Sequence, residues 1–179
     1  MNDHYQNSYS FFGEKFENKT EDQKSLILVA HELKTPENMG SIIRLAANLN
    51  AEKVYFLHEK FVVKKSKLER VAHSSLGNVD FEIITEDEFL NKIDPDYKII
   101  ALETTTNSQN VFTTNFPPKC MLLCGNERFG LPNHLISKCD QSIFIPIPGT
   151  TRSMNVSHAL TLAAFEWARQ HRPQEMSIK

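Results

Sequence analysis

No apolar run in this chain approaches the ~20 residues that a helix needs to cross a bilayer. A membrane-spanning protein is therefore not expected. The first residues are acidic and polar where a secretory leader would have a basic start and an apolar core. Cysteine is scarce: Cys120, Cys124 and Cys139 form an odd set without CxxC spacing. That excludes a disulfide framework and fits a reducing, cytoplasmic setting. The seven histidines are scattered without metal-ligand spacing, so no metal is expected. Neither sign of charge dominates, and the net charge of −2 does not advertise nucleic acid. A local basic patch would still suffice for it. Gly125 and Gly130 stand five apart, but no Lys-Ser or Lys-Thr follows, so the Walker loop is absent, as is GxGxxG. Internal repeats and low-complexity tracts are lacking too.

What remains is a chain of 179 residues, 40% of them hydrophobic, enough for one domain with a real core. Residues 1–24 form a polar N-terminal extension whose main apolar content is Phe11, Phe12 and Phe16. Residues 25–179 carry the domain. Ser25 to Ala30 is a short apolar run that predicts a buried strand. His31 to Gly40 predicts a loop, Ser41 to Asn50 a helix, and Lys53 to Leu57 a second strand. A strand–helix–strand unit of this kind makes the strands parallel. Further strands are predicted at 81–85, 97–102, 119–124 and 142–147, with a short helix at 132–138. Another helix, 86–93, carries a capping box in Thr85 and Glu88. The predicted fold class is α/β, a parallel sheet flanked by helices.

Three loops at predicted strand ends bear polar groups. The first leads to Asn38, Gly40 and Arg44; the second is Gly125 to Pro132, with Glu127; the third is Ile145 to Asn155. The third stops a strand at prolines and opens a long helix, with Ser153 and Asn155 both competent as N-caps. Such loops hold small polar ligands in α/β folds. Each also has an ordinary alternative: plain capping, a solvated Arg44, or a Glu127 that only braces backbone amides. The last helix, 155–171, is apolar nearly all round, which suits contact with both its own sheet and a second subunit. Lys60 to His73 is the most basic stretch, with Lys64, Lys65, Lys67 and Arg70. It is either a solvated face or a phosphate-contacting surface.

Asn38 to Arg44 (NMGSIIR), Leu123 to Pro132 (LCGNERFGLP) and Ile145 to Ser157 (IPIPGTTRSMNVS) resemble motifs 1, 2 and 3 of the SpoU/TrmH family of SPOUT RNA methyltransferases. The resemblance runs from about Ser25 to Arg172, with all three motifs in order. It implies a SPOUT-type sheet with a C-terminal deep trefoil knot, a homodimer, and transfer of a methyl group from S-adenosylmethionine (SAM) to an RNA ribose 2′-hydroxyl. It further implies that Leu102, Gly125, Ile145, Ser153 and Met154 hold the cofactor. Asn38, Arg44, Glu127, Ser153 and Asn155 match the polar residues around the transfer site, and Arg152 joins the basic stretch as an RNA contact. Motif 3 is similar to that of the small enzymes that modify the tRNA wobble nucleotide. With no large N-terminal RNA-binding domain in view, tRNA is the expected substrate. An rRNA enzyme and a knotted RNA-binding protein without catalysis are the alternatives. The last predicts loss of Arg44, Glu127 or Asn155, and all are present.

Overall fold

The computed structural model describes residues 24–60 and 79–172. The N-terminal extension and the basic stretch with Lys64, Lys65, Lys67 and Arg70 lie outside the described residues. Strand β1 (Ser25–His31) leads into α1 (Pro36–Asn48) and β2 (Lys53–Leu57). Then come β3 (Asp80–Ile84), α2 (Glu86–Lys92), β4 (Lys98–Leu102), β5 (Gln109–Asn110) and β6 (Lys119–Cys124). The chain continues through α3 (Asn133–Ile136), β7 (Gln141–Phe144) and α4 (Val156–His171). Among the described residues, seven strands form one sheet in the order β3-β2-β1-β6-β4-β7-β5. Every pairing in it is parallel.

Side chains of a strand alternate between sheet faces, and here both faces are covered. Leu26, Leu28 and Ala30 of β1 join Cys120, Leu122 and Cys124 of β6 in a core with residues of α1 and α4. Ile27, Val29, Met121 and Leu123 point the other way, onto a second core with Phe89 of α2 and Leu135 of α3. The runs of unbroken apolar sequence in β1 and β6 are the signature of this two-sided burial.

Several boundaries differ from the sequence-based expectation. The first helix begins at Pro36, not Ser41, so Asn38 and Gly40 sit in its first turns and not in a loop. Proline is pre-organised for the first helical position and has no amide to leave unpaired there. The strand expected at 142–147 ends at Phe144, before the first of its prolines. Gln109–Asn110, inside a stretch that looks wholly like a polar loop, pairs with β7. The helix expected at 132–138 is limited to Asn133–Ile136.

The last helix is stitched to the segment before β6. Trp167, fully buried, donates Nε1–H to the Pro117 carbonyl at 2.9 Å. Gln170 donates to the Thr114 carbonyl at 2.8 Å and accepts from the Phe116 amide at 2.9 Å. This fixes the end of α4 across residues 111–118 while its start faces the strand ends.

Candidate active site

Strands β6, β4 and β7 are neighbours, and their C-terminal ends lie side by side: Leu102 pairs with Cys124 and with Ile143. Leu102, Gly125 and Ile145 therefore stand together at the C-terminal end of the sheet. Leu102 and Ile145 are half-buried, while Ser153 and Met154 are exposed on the loop that leads into α4. Arg152 is also exposed on that loop.

The three polar segments are tied together by one hydrogen-bonded chain. Asn155 Nδ2 donates to Asn38 Oδ1 at 3.1 Å, and Asn38 Nδ2 donates to Glu127 Oε1 at 2.8 Å. Glu127 also accepts from the Thr35 hydroxyl at 3.0 Å and the Lys34 amide at 3.2 Å. Burial pushes the Glu127 carboxyl up, but these donors outweigh it and hold its pKa below the usual value. The carboxylate is therefore ionised at neutral pH. Asn38 is buried, so a loss of its partner would leave an amide without one, at about 1–3 kcal/mol.

Asn155 does a second task. Its Oδ1 accepts from the amides of Ser157 at 2.9 Å and His158 at 3.3 Å, which makes it the N-cap of α4. Ser153, the other cap expected, does not fill that position.

The second loop is rigid for local reasons. Asn126 and Gly130 bond each other through both backbone amides, at 3.1 and 2.9 Å. Asn126 Oδ1 caps the Arg128 and Phe129 amides, and Asn126 Nδ2 donates to the Glu32 carbonyl at 2.5 Å. Glu103 holds the Leu131 amide at 2.8 Å. A Cβ on Gly125 would lie 2.2 Å from the Gly130 carbonyl carbon, so glycine is required there by the loop's own backbone. Gly130 has φ +66°, and a Cβ on it would meet the Glu103 carboxylate at 2.3 Å. Asn126, Glu103, Thr35 and Lys34 escaped the sequence reading. Asn126 and Glu103 had one weak signal each, adjacency to Glu127 and to Leu102.

Arg44 stands apart from this chain. It is about a third of a turn around α1 from Asn38. It lines a groove of about 320 Å³ between α1 and α4, together with Glu37, Gly40, Ser41, Thr161 and Phe165. The structure thus brings Asn38, Glu127 and Asn155 together, and sets Arg44 on the neighbouring outer face.

Cys124, directly before Gly125, is fully buried, and desolvation pushes its thiol up to about 12. At neutral pH it is a neutral thiol, a weak nucleophile beside the strand ends.

An all-parallel sheet whose connections after β1, β6 and β7 converge on one asparagine–glutamate chain is an α/β architecture with its polar site at the C-terminal strand ends. The chain belongs to the SpoU rRNA methylase family, whose model matches residues 25–165. It is 29% identical over 149 residues to mouse tRNA (guanosine(18)-2′-O)-methyltransferase, an alignment covering 81% of this chain and 9% of that protein. Other relatives are named as methyltransferases of tRNA position 18 or 34, or of 23S rRNA. Among solved structures, one described as giving insight into 2′-OH methylation of C/U34 on tRNA superposes with TM-score 0.74 and 27% identity. It covers 83% of this chain and 97% of its own. The SpoU methyltransferase AviRb of Streptomyces viridochromogenes, in complex with AdoMet, gives TM-score 0.75 and 26% identity over 83% of this chain and 58% of its own.

Proposed function

We propose that this chain transfers a methyl group from SAM to a ribose 2′-hydroxyl of RNA, with tRNA preferred over rRNA, and that it works as a homodimer in the cytoplasm. Residues 25–179 form the catalytic domain in this reading, with the C-terminal trefoil knot of the family. The observation that carries it is the Asn155–Asn38–Glu127 chain, which joins the three family motifs from distant parts of the sequence. The family relatives named for tRNA substrates support the preference for tRNA.

The residues present fit SAM. Three adjacent strand ends offer backbone groups beside the apolar side chains of Leu102 and Ile145, and Gly125, Ser153 and Met154 complete the cofactor set. When bound, SAM supplies an electrophilic methyl on a sulfonium. The protein's own tasks are then positioning and charge. Glu127 and Asn155 hold Asn38 in one orientation, and neutral Cys124 offers no competing thiolate. Arg44 brings a fixed positive charge and a planar fork of hydrogen-bond donors. Its role is to fix an adjacent phosphate and stabilise the developing alkoxide. Arg152 and the basic stretch with Lys64, Lys65, Lys67 and Arg70 serve as further RNA contacts. A second copy seated on α4 would cover Phe165, which is 50% exposed beside Arg44, and enclose that arginine.

The test is transfer from labelled SAM into total tRNA and, separately, rRNA, with nuclease mapping of the product. A 2′-O-methylnucleotide in tRNA is expected. Arg44→Ala should bind SAM almost normally and lose transfer by about 10²-fold or more. Label confined to rRNA would reverse the substrate preference, and undiminished turnover in the variant would remove Arg44 from the chemistry.

A further inference from the structure

Phe129 is the most exposed large hydrophobic residue among the described residues, at 72%. Isolated exposed apolar residues are ordinary. This one differs in three respects.

First, its loop is not slack. The mutual Asn126–Gly130 backbone bonds close it, Asn126 Oδ1 accepts from the Phe129 amide at 3.3 Å, and Glu103 secures the residue after the turn. These bonds fix the backbone on which the ring stands exposed.

Second, the ring carries two cations. The Arg128 guanidinium lies 5.1 Å from its centroid and the Lys34 ammonium 5.6 Å. Cations over an aromatic face are attracted by its quadrupole, and the pair makes a local basic patch on a chain whose net charge is −2. Third, the platform adjoins the candidate site. Phe129 is two residues from Glu127, and the backbone amide of Lys34 itself donates to Glu127 Oε2. The Glu127 carboxylate is turned inward onto Lys34, Thr35 and Asn38.

An exposed aromatic flanked by arginine and lysine is what a single-stranded nucleotide selects: a flat face for the base and cations for the phosphates. We propose that Phe129 is a stacking platform for an unpaired base of the RNA substrate, with Lys34 and Arg128 on the flanking phosphates. Phe129 is then a positioning residue, setting which nucleotide presents its ribose. The proposal rests on the RNA methyltransferase reading above.

The experiment measures full-chain binding to tRNA across a salt series, SAM binding, methyl transfer and sedimentation. Phe129→Ala and Phe129→Leu should each weaken RNA binding by about tenfold, while Phe129→Tyr stays within about twofold of wild type. Lys34→Gln should lower the log–log salt slope by about one, and Phe129→Ala should leave that slope unchanged. SAM affinity and sedimentation should not change. If Phe129→Leu binds RNA like wild type, bulk suffices and stacking is refuted. A change in oligomeric state with Phe129→Ala would assign the ring to a contact between copies instead. A wild-type chain that methylates RNA while Phe129→Ala binds equally well overturns this inference alone. A wild-type chain that neither binds nor methylates RNA overturns the function reading as well.

Discussion

His58 follows β2 and is buried to 9% exposure. Desolvation holds its pKa below the ordinary imidazole value, against an upward pull from Glu32, whose carboxylate lies 3.5 Å away. The neighbouring His31 adds to the depression. The folded chain therefore resists a proton that the unfolded chain accepts at about pH 6.5. Stability should be level above that value and fall as pH drops below it. The depressed carboxylates Glu86 and Glu127 act in the same direction, but only from about pH 4.5 downward. Thermal unfolding followed from about pH 7.5 to 5.5 should show a falling melting temperature, and His58→Gln should flatten that slope. An undiminished slope in the variant would place the effect on another group. At this scale the sequence revealed identities but not partners. Glu127 could be singled out from its loop, yet Lys34, Thr35 and Asn38 reach it only because β1 and β6 are paired. Such contacts depend on register, which no local pattern encodes.

At the level of elements, local chemistry was far more legible. The Thr85–Glu88 capping box is present as expected, because both partners lie within one turn. Helix α4 starts after Asn155 for the same reason. The start of α1 was hidden because Thr35 and Pro36 also suit a turn, and β5 was hidden because two residues carry no period. Asn155 offers a way to separate the cap from the link to Asn38. Asn155→Ala loses both, and should lower stability by about 1 kcal/mol in urea unfolding. Asn155→Asp keeps an accepting oxygen for Ser157 and His158 but has no amide hydrogen to donate to Asn38. It should recover most of the stability while transfer stays low. If the aspartate variant transfers methyl groups at the wild-type rate, the link to Asn38 is dispensable.

For the whole molecule, the geometry sets Arg44 apart from the Asn38–Glu127–Asn155 chain. Within one copy it faces the α1/α4 groove beside Phe165, on another flank of the helix. Leu162 and Phe165 of α4 are both exposed there, at spacing that puts them on one stripe. The other flank of α4, with Leu160, Ala163, Ala164 and Trp167, is core. A partner copy seated on that stripe would cover it, and the dimer proposed above would then bring residues of two copies to one site. Phe165→Glu, which puts a charge on the stripe, should yield a monomer by sedimentation and abolish transfer. The sharper experiment mixes two defective variants, Arg44→Ala and Glu127→Ala, co-expressed so that copies pair at random. If Arg44 of one copy serves the Glu127 site of the other, a mixed pair has one site lacking both groups and one intact. Random pairing then restores about a quarter of wild-type activity from two inactive proteins. If both groups act within the same copy, every site in every pair lacks one of them, and the mixture stays inactive. Recovery would make the dimer part of the catalytic machinery, and its absence with dimerisation intact would confine the chemistry to single copies.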